Sequence, residues 1–268
     1  MRRALPERRL HPRLTRRGLL GGGLLAGVLA AAGVSVAARG GTLRLAVAGP
    51  LPGPWEGAAL LPLVEAGLAE GLVAAGPGGT LLPGLALSWE GGGRDWRLAL
   101  DPAARFHDGR PVTARDAAAS LDRAGFEAEA RAEGGALRLR LPAPDPSLPL
   151  RLLDPALAVW PGGRPGPVGS GPYRLDSAGA PPWRLRRAEG HPRGAALAHF
   201  DAVALLPLPD PEARLAALLG READAAPLPE SLRGAARAAG LRLAEGVAHR
   251  PGLVAGGARP ATAWWWAA

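Results

Sequence analysis

Two short stretches hold residue types that could break bonds. In Arg105-Phe106-His107-Asp108-Gly109 a histidine and an aspartate are neighbours, the base and orienting acid of nucleophilic hydrolysis. In Val168-Gly169-Ser170-Gly171-Pro172 a serine stands between two glycines. Neither pattern is complete. Catalytic groups are recognised by mutual geometry, and adjacency along the chain does not supply it. A nucleophile elbow needs one more residue on each side of the serine than Gly169-Ser170-Gly171 provides. The histidines at 107, 191, 199 and 249 lack a His-x-x-x-His spacing. With no cysteine in the chain there is no thiolate nucleophile and no cysteine-ligated zinc. No catalytic residue, metal ligand or cofactor is expected. An exported hydrolase using Ser170 stands as an alternative, which a serine-reactive probe would test.

The elements around these residues explain them without chemistry. Asp108-Gly109 is a turn dipeptide, since glycine accepts positive φ and aspartate can bond its own backbone. Thr113 with Asp116 three residues later forms a capping box. Ala117, Ala118, Leu121 and Ala124 then make an apolar stripe, and Gly125 stands at a helix stop. The segment therefore reads as strand, turn, proline and capped helix. Upstream, "GTLRLAVAGP" from Gly41 alternates as a first strand should. Leu60, Leu63, Val64, Leu68 and Leu72 then recur at helical spacing. "TLLPGLALSWE" and "RDWRLALDP" are strand candidates, as is "ALRLRL", with Leu137, Leu139 and Leu141 facing one way. A short helix near 147–153 and a brief strand "ALAVW" at 156–160 follow. "PYRL", "WRLRRAEG" and "FDAVALLPLPD" are further strands. Asp210-Pro211-Glu212 supplies the cap, first-turn proline and acid for the helix "EARLAALLG", before a last strand in "READAAPLP". Strands with interposed helices and no constant repeat indicate a mixed α/β (α+β) fold.

Charge excludes one partner class. The chain has 268 residues and a formal charge of +8, but residues 1–40 hold eight arginines and one glutamate. The remainder is nearly neutral, so it lacks the basic footprint of a nucleic-acid binder. The leader ends its basic stretch in Arg16-Arg17, continues in a glycine-rich apolar run, and reaches the small-x-small site Ser35-Val36-Ala37. That order is the pattern of an export signal, here of the twin-arginine type. An uncleaved membrane anchor is the competing reading, but the glycines keep the run weakly hydrophobic. Glycine and proline make up a quarter of the residues, which points to a loop-rich domain.

Four stretches taken in order resemble one family: "LLPGLALSWE" (81–90), "RFHDGRPVTARDAAASLDRA" (105–124), "PVGSGPYRL" (167–175) and "LPLPDPEARLAALLGREADAA" (206–226). Together they look like the N-terminal part of family 5 solute-binding proteins, the receptors of peptide- and nickel-type ABC importers. Phe106-His107-Asp108-Gly109 with Pro111 and Thr113-Ala114 matches the family's most recognisable signature. Gly169-Ser170-Gly171-Pro172-Tyr173 looks like its Gly-Thr-Gly-Pro-Tyr segment, with serine for threonine. The resemblance implies a periplasmic-binding-protein-like first lobe with an inserted subdomain and an architectural role for His107. It also implies a non-enzymatic receptor, monomeric and periplasmic, that takes a peptide or other small-molecule ligand and meets ABC permease subunits in the inner membrane. Family members are far longer, so the second lobe is expected to be missing, and a remnant that binds nothing is the alternative function.

The resulting division assigns 1–40 to the signal peptide, 41–57 and 164–250 to the main sheet, 58–163 to the inserted subdomain and 251–268 to an unstructured tail. Trp55, in the loop after the first strand, is the one candidate for substrate binding, because loops on a scaffold carry function more often than packed strands do. Trp89, Trp96 and Trp160 sit at strand positions and are expected in the core.

Overall fold

Residues 40–48, 67–75, 80–176, 183–194, 198, 200–244 and 263–266 are described by the structure, a computed structural model. Arg16, Arg17 and Trp55 lie outside them.

A seven-stranded sheet is organised around β1 (Thr42–Val47). Its neighbours come from far along the chain. β10 (Ala202–Pro207) runs parallel to β1 over six residue pairs, and β11 (Ala225–Leu228) lies parallel on its other side. β9 (Trp183–Arg187) and β8 (Tyr173–Leu175) continue beyond β10 as antiparallel strands. Beyond β11, β13 (Ala263–Trp266) pairs antiparallel with β11 on one side and with β12 (Arg242–Ala244) on the other.

Period-two alternation in β1 assigns the two faces of this sheet. Leu43, Leu45 and Val47 enter a core with Trp160, Tyr173, Trp183, Leu185, Val203 and Leu205. Ala46 faces the opposite layer, which is built from α3 (Pro211–Leu219), α4 (Arg233–Ala238) and the segments near them. Arg44 pairs with Asp224 through two side-chain hydrogen bonds and a backbone one.

A second unit lies between β1 and β8 in the chain. β4 (Ala86–Glu90), β5 (Asp95–Leu100), β7 (Ala136–Arg140) and β6 (Glu129–Glu133) form an antiparallel sheet in that spatial order. β2 (Val73–Ala75) and β3 (Leu81–Pro83) form a separate ribbon. α1 (Ala114–Arg123) lays Ala117 and Leu121 on the core of this unit, among Leu98, Leu137, Leu139 and Leu141. Its capping box is realised: Asp116 N–H donates to Thr113 Oγ1 at 3.2 Å and Thr113 N–H to Asp116 Oδ2 at 3.0 Å. Gly125 adopts φ +68° at the helix stop. α2 (Leu148–Arg151) is the short helix expected near 147–153.

Four local readings need correction. Residues 105 and 111 meet only through an isolated bridge, so no strand precedes the Asp108-Gly109 turn. Residues 156–160 are not a strand: Pro155–Leu157 form a 3-10 turn, because Asp154 accepts the Ala156 N–H and Pro155 starts the turn. The helical spacing read through Leu72 fails at its end, since residues 67–68 are helical and β2 begins at Val73. The tail is not wholly unstructured, because Ala263–Trp266 adds a strand inside the sheet. β11 and β12 leave a one-strand gap with hydrogen-bonding backbone on both sides, and this segment fills it. Trp96 and Trp160 are buried and Trp89 packs against the same core as Trp96.

Candidate functional site

The stretches that looked reactive meet at the junction of the two units. His107 does not face Asp108. The Asp108 carboxylate accepts from Arg110 Nε at 2.8 Å and from Arg110 N–H at 3.1 Å, and this guanidinium holds it below the usual carboxylate range. His107 instead grips the Gly169–Gly171 loop. Its backbone N–H donates to Gly169 O at 2.7 Å, its Nδ1 accepts the Gly169 N–H at 3.2 Å, and its Nε2 lies 2.9 Å from Gly171 O. An amide N–H can only donate, so Nδ1 is the acceptor and Nε2 carries the proton. Burial pushes the His107 pKa down, which keeps this neutral form.

Ser170 is buried at 2% exposure and is no nucleophile. Its Oγ accepts the Glu70 N–H at 3.3 Å, and the histidine nearest to it bonds its carbonyl instead: His191 Nε2 lies 3.1 Å from Ser170 O.

The flanking glycines have a packing reason. A Cβ on Gly169 would stand 1.9 Å from Leu68 O, and one on Gly171 2.3 Å from Gly67 O. The loop lies directly on the 67–69 backbone, and Gly171 N–H donates to Leu68 O at 2.8 Å. Tyr173 completes the motif, its hydroxyl donating to Phe200 O and accepting from Phe200 N–H, both at 3.2 Å. Burial raises the Tyr173 pKa and so keeps the phenol protonated.

Next to the loop, Glu70 is nearly buried and takes two basic partners. His191 Nε2 lies 3.3 Å from Glu70 Oε1, and the Arg193 guanidinium pairs with the same carboxylate and reaches Pro83 O. A small cleft of about 80 Å³ opens here, lined by Glu70, Leu85, Arg105, Ser170, His191 and Arg193 among others. Glu70, His191 and Arg193 show no spacing in the sequence that would have grouped them.

A second place for a site is set by topology. β1, β10 and β11 are parallel, so their carboxyl ends, at Val47, Pro207 and Leu228, share one edge of the sheet. In open α/β sheets ligands bind outside the carboxyl ends of the strands. Arg214 of α3 braces this edge from inside. It is only 5% exposed and donates to the carbonyls of Pro227 (2.8 Å), Leu208 (2.7 Å) and Pro209 (2.8 Å). Burial lowers its pKa, with Asp210 and Glu212 opposing. One signal for Arg214 was legible: with Ala217 and Leu218 it shares the buried stripe of α3, so a charge sits at a core position. Trp55 lies outside the described residues, in the segment that follows the carboxyl end of β1.

Among the described residues no group of three or more acidic, histidine or cysteine side chains is placed to hold a metal, and no helix is long and apolar enough to cross a membrane.

Residues 80–241, more than half of the chain, match the family profile described as bacterial extracellular solute-binding proteins, family 5 Middle. The chain belongs to this family. Its members are transport receptors rather than enzymes. Among solved structures, the A. tumefaciens R10 binding protein AgaA in complex with agropinic acid matches with TM-score 0.63 at 21% identity, over 76% of this chain and 47% of that one. Haemophilus influenzae OppA in complex with the peptide RPPGFSPFR matches with TM-score 0.63 at 16% identity, over 75% and 50%. The nickel ABC transporter protein of Bacillus halodurans matches with TM-score 0.59 at 24% identity, over 75% and 46%. The chain thus spans about half the length of the solved structures it matches. At these identities the likeness establishes the fold of a solute-binding-protein lobe. No curated protein matches the chain.

Proposed function

We propose that the chain is the first-lobe part of an exported receptor that binds peptides or similar small solutes for an ABC-type importer. The observation that carries the reading is the junction: His107 and the Gly169–Tyr173 motif join an inserted antiparallel unit to a mixed sheet whose three parallel strands end at one edge. The main lobe is assigned to 41–57 and 164–250 and the inserted subdomain to 58–163. Trp55, in the segment that follows β1 along the chain, is assigned to substrate binding. The relatives named above hold a peptide and agropinic acid, which sets the panel worth testing.

Calorimetry of the exported chain against RPPGFSPFR, agropinic acid and nickel–histidine gives saturable heat with a peptide-class ligand on this reading, and Trp55→Ala weakens it several-fold. A folded protein silent across the whole panel overturns the receptor reading and favours a module that only contacts other proteins. Export is assigned to the Arg16-Arg17 leader, with the periplasm as destination and permease subunits in the inner membrane as partners. Arg16→Lys/Arg17→Lys is expected to leave the protein in the cytoplasm, and unchanged export of that variant removes the twin-arginine assignment.

A further inference from the structure

Two histidines hold one loop, and both hold it in the same protonation state. His107 accepts Gly169 N–H on Nδ1 and presents Nε2 to Gly171 O. His191 accepts Arg193 N–H on Nδ1 at 3.1 Å and presents Nε2 to Ser170 O. Because each Nδ1 receives a backbone donor, both rings are neutral with the proton on Nε2. A second proton can enter only at Nδ1, where it points at an N–H. Protonating either ring therefore breaks one hydrogen bond and sets two donors against each other. In the cation Nε2–H still donates to Gly171 O and Ser170 O, so the loop bond that is lost is the one from Gly169 N–H to His107 Nδ1.

The loop they hold is a point of contact between the two sheets. Its glycines lie on the 67–69 backbone, Ser170 Oγ takes the Glu70 N–H, and Tyr173 leads into the seven-stranded sheet. His107 is faced by His191, Arg174 and Glu70, and burial holds its pKa below the ordinary histidine value. His191 is faced by the Glu70 carboxylate, which Arg193 already shares, and by His107. Asp101 and Arg105 line the adjoining cleft.

We propose that Gly169–Gly171 is an acid-weakened clasp: the neutral His107 ring fixes it through both nitrogens, and protonation at Nδ1 breaks the Gly169 N–H bond and loosens the seam between the four-stranded unit and the seven-stranded sheet. This stands apart from any assignment of ligand, since it rests on the loop and its two rings alone.

Hydrogen exchange of the full chain at pH 7.5 and pH 5.0, corrected for intrinsic rates, tests the clasp. Protection of the Gly169 amide is expected to fall about tenfold or more at pH 5.0, while Leu205 in the interior strand β10 holds. In His107→Asn the side-chain oxygen accepts the same N–H but does not titrate, so the pH dependence disappears. Protection that stays level in the wild type, or an unchanged pH profile in the variant, overturns the proposal. Imidazole 15N spectra of the wild type test it without substitution. Both rings are expected as the Nε2–H tautomer at pH 7.5, and an Nδ1–H tautomer on either one overturns it.

Discussion

Gly169→Ala is the sharpest probe of how this lobe is joined. The new Cβ would stand 1.9 Å from Leu68 O and 2.7 Å from Leu68 C, whereas ordinary contact begins at 3.4 Å. Both obstacles are backbone, so no side chain can swing aside. The two segments must part by about 1.5 Å, judged from the gap to ordinary contact. That movement strains the His107 N–H to Gly169 O bond, the Gly169 N–H to His107 Nδ1 bond and the Gly171 N–H to Leu68 O bond. Three hydrogen bonds at about 1 kcal/mol net each give about 3 kcal/mol. Overpacking adds about 1 kcal/mol or more. A loss of about 4 kcal/mol is a large part of the 5–15 kcal/mol that holds a typical domain together. Thermal unfolding followed by circular dichroism should show a fall in Tm of about 8 °C or more for a body of this size. Gly166→Ala is the control, because its nearest obstacle is Arg164 O at 4.0 Å. It is expected to be neutral or to stabilise by a few tenths of a kcal/mol, about what a stiffer unfolded chain contributes. A Gly169→Ala Tm within about 2 °C of wild type refutes the close-approach argument, since about 4 kcal/mol cannot be lost so quietly. Equal damage from Gly166→Ala refutes it as well.

Arg214→Met should destabilise by about 3 kcal/mol in urea denaturation, because one buried and two part-buried carbonyls lose a charged donor. Arg214→Lys should recover only part of this, as an ammonium cannot span all three carbonyls. Thr113→Ala should cost about 1 kcal/mol by removing the cap of α1, read from the same titration. For pH, His107 is kept neutral in the fold, with its pKa below the unfolded value. Its contribution is therefore complete above about pH 6.5 and is lost as pH falls from there through the lowered folded value. His107→Asn should flatten the acid limb of stability between pH 6.5 and 5, and an unaltered limb would assign that limb to other groups.

Local structure was largely legible where one short segment contains all of its own determinants. The capping box at Thr113 and Asp116, the stop at Gly125, and the Asp210-Pro211-Glu212 start of α3 each involve neighbours a few residues apart. The alternations in β1, β5 and β7 placed their leucines in the core as read. Residues 156–160 misled because an apolar run is ambiguous, and Asp154 with Pro155 turned its start into a 3-10 turn. The tryptophan tail misled because a strand needs a partner, and β11 and β12 come from elsewhere in the chain.

The residue types alone excluded thiol chemistry and a nucleic-acid footprint, and the ordered motifs pointed to the family, because composition and local spacing are properties of the chain itself. Contacts at long range were decided only by tertiary packing. His107 meets Gly169 and Gly171 across more than 60 residues, Glu70 meets Arg193 across 123, and β1 takes its two parallel neighbours from beyond residue 200. No period or motif encodes such pairings; they arise where chain reversal, backbone closeness at glycine and the need to satisfy buried polar groups coincide.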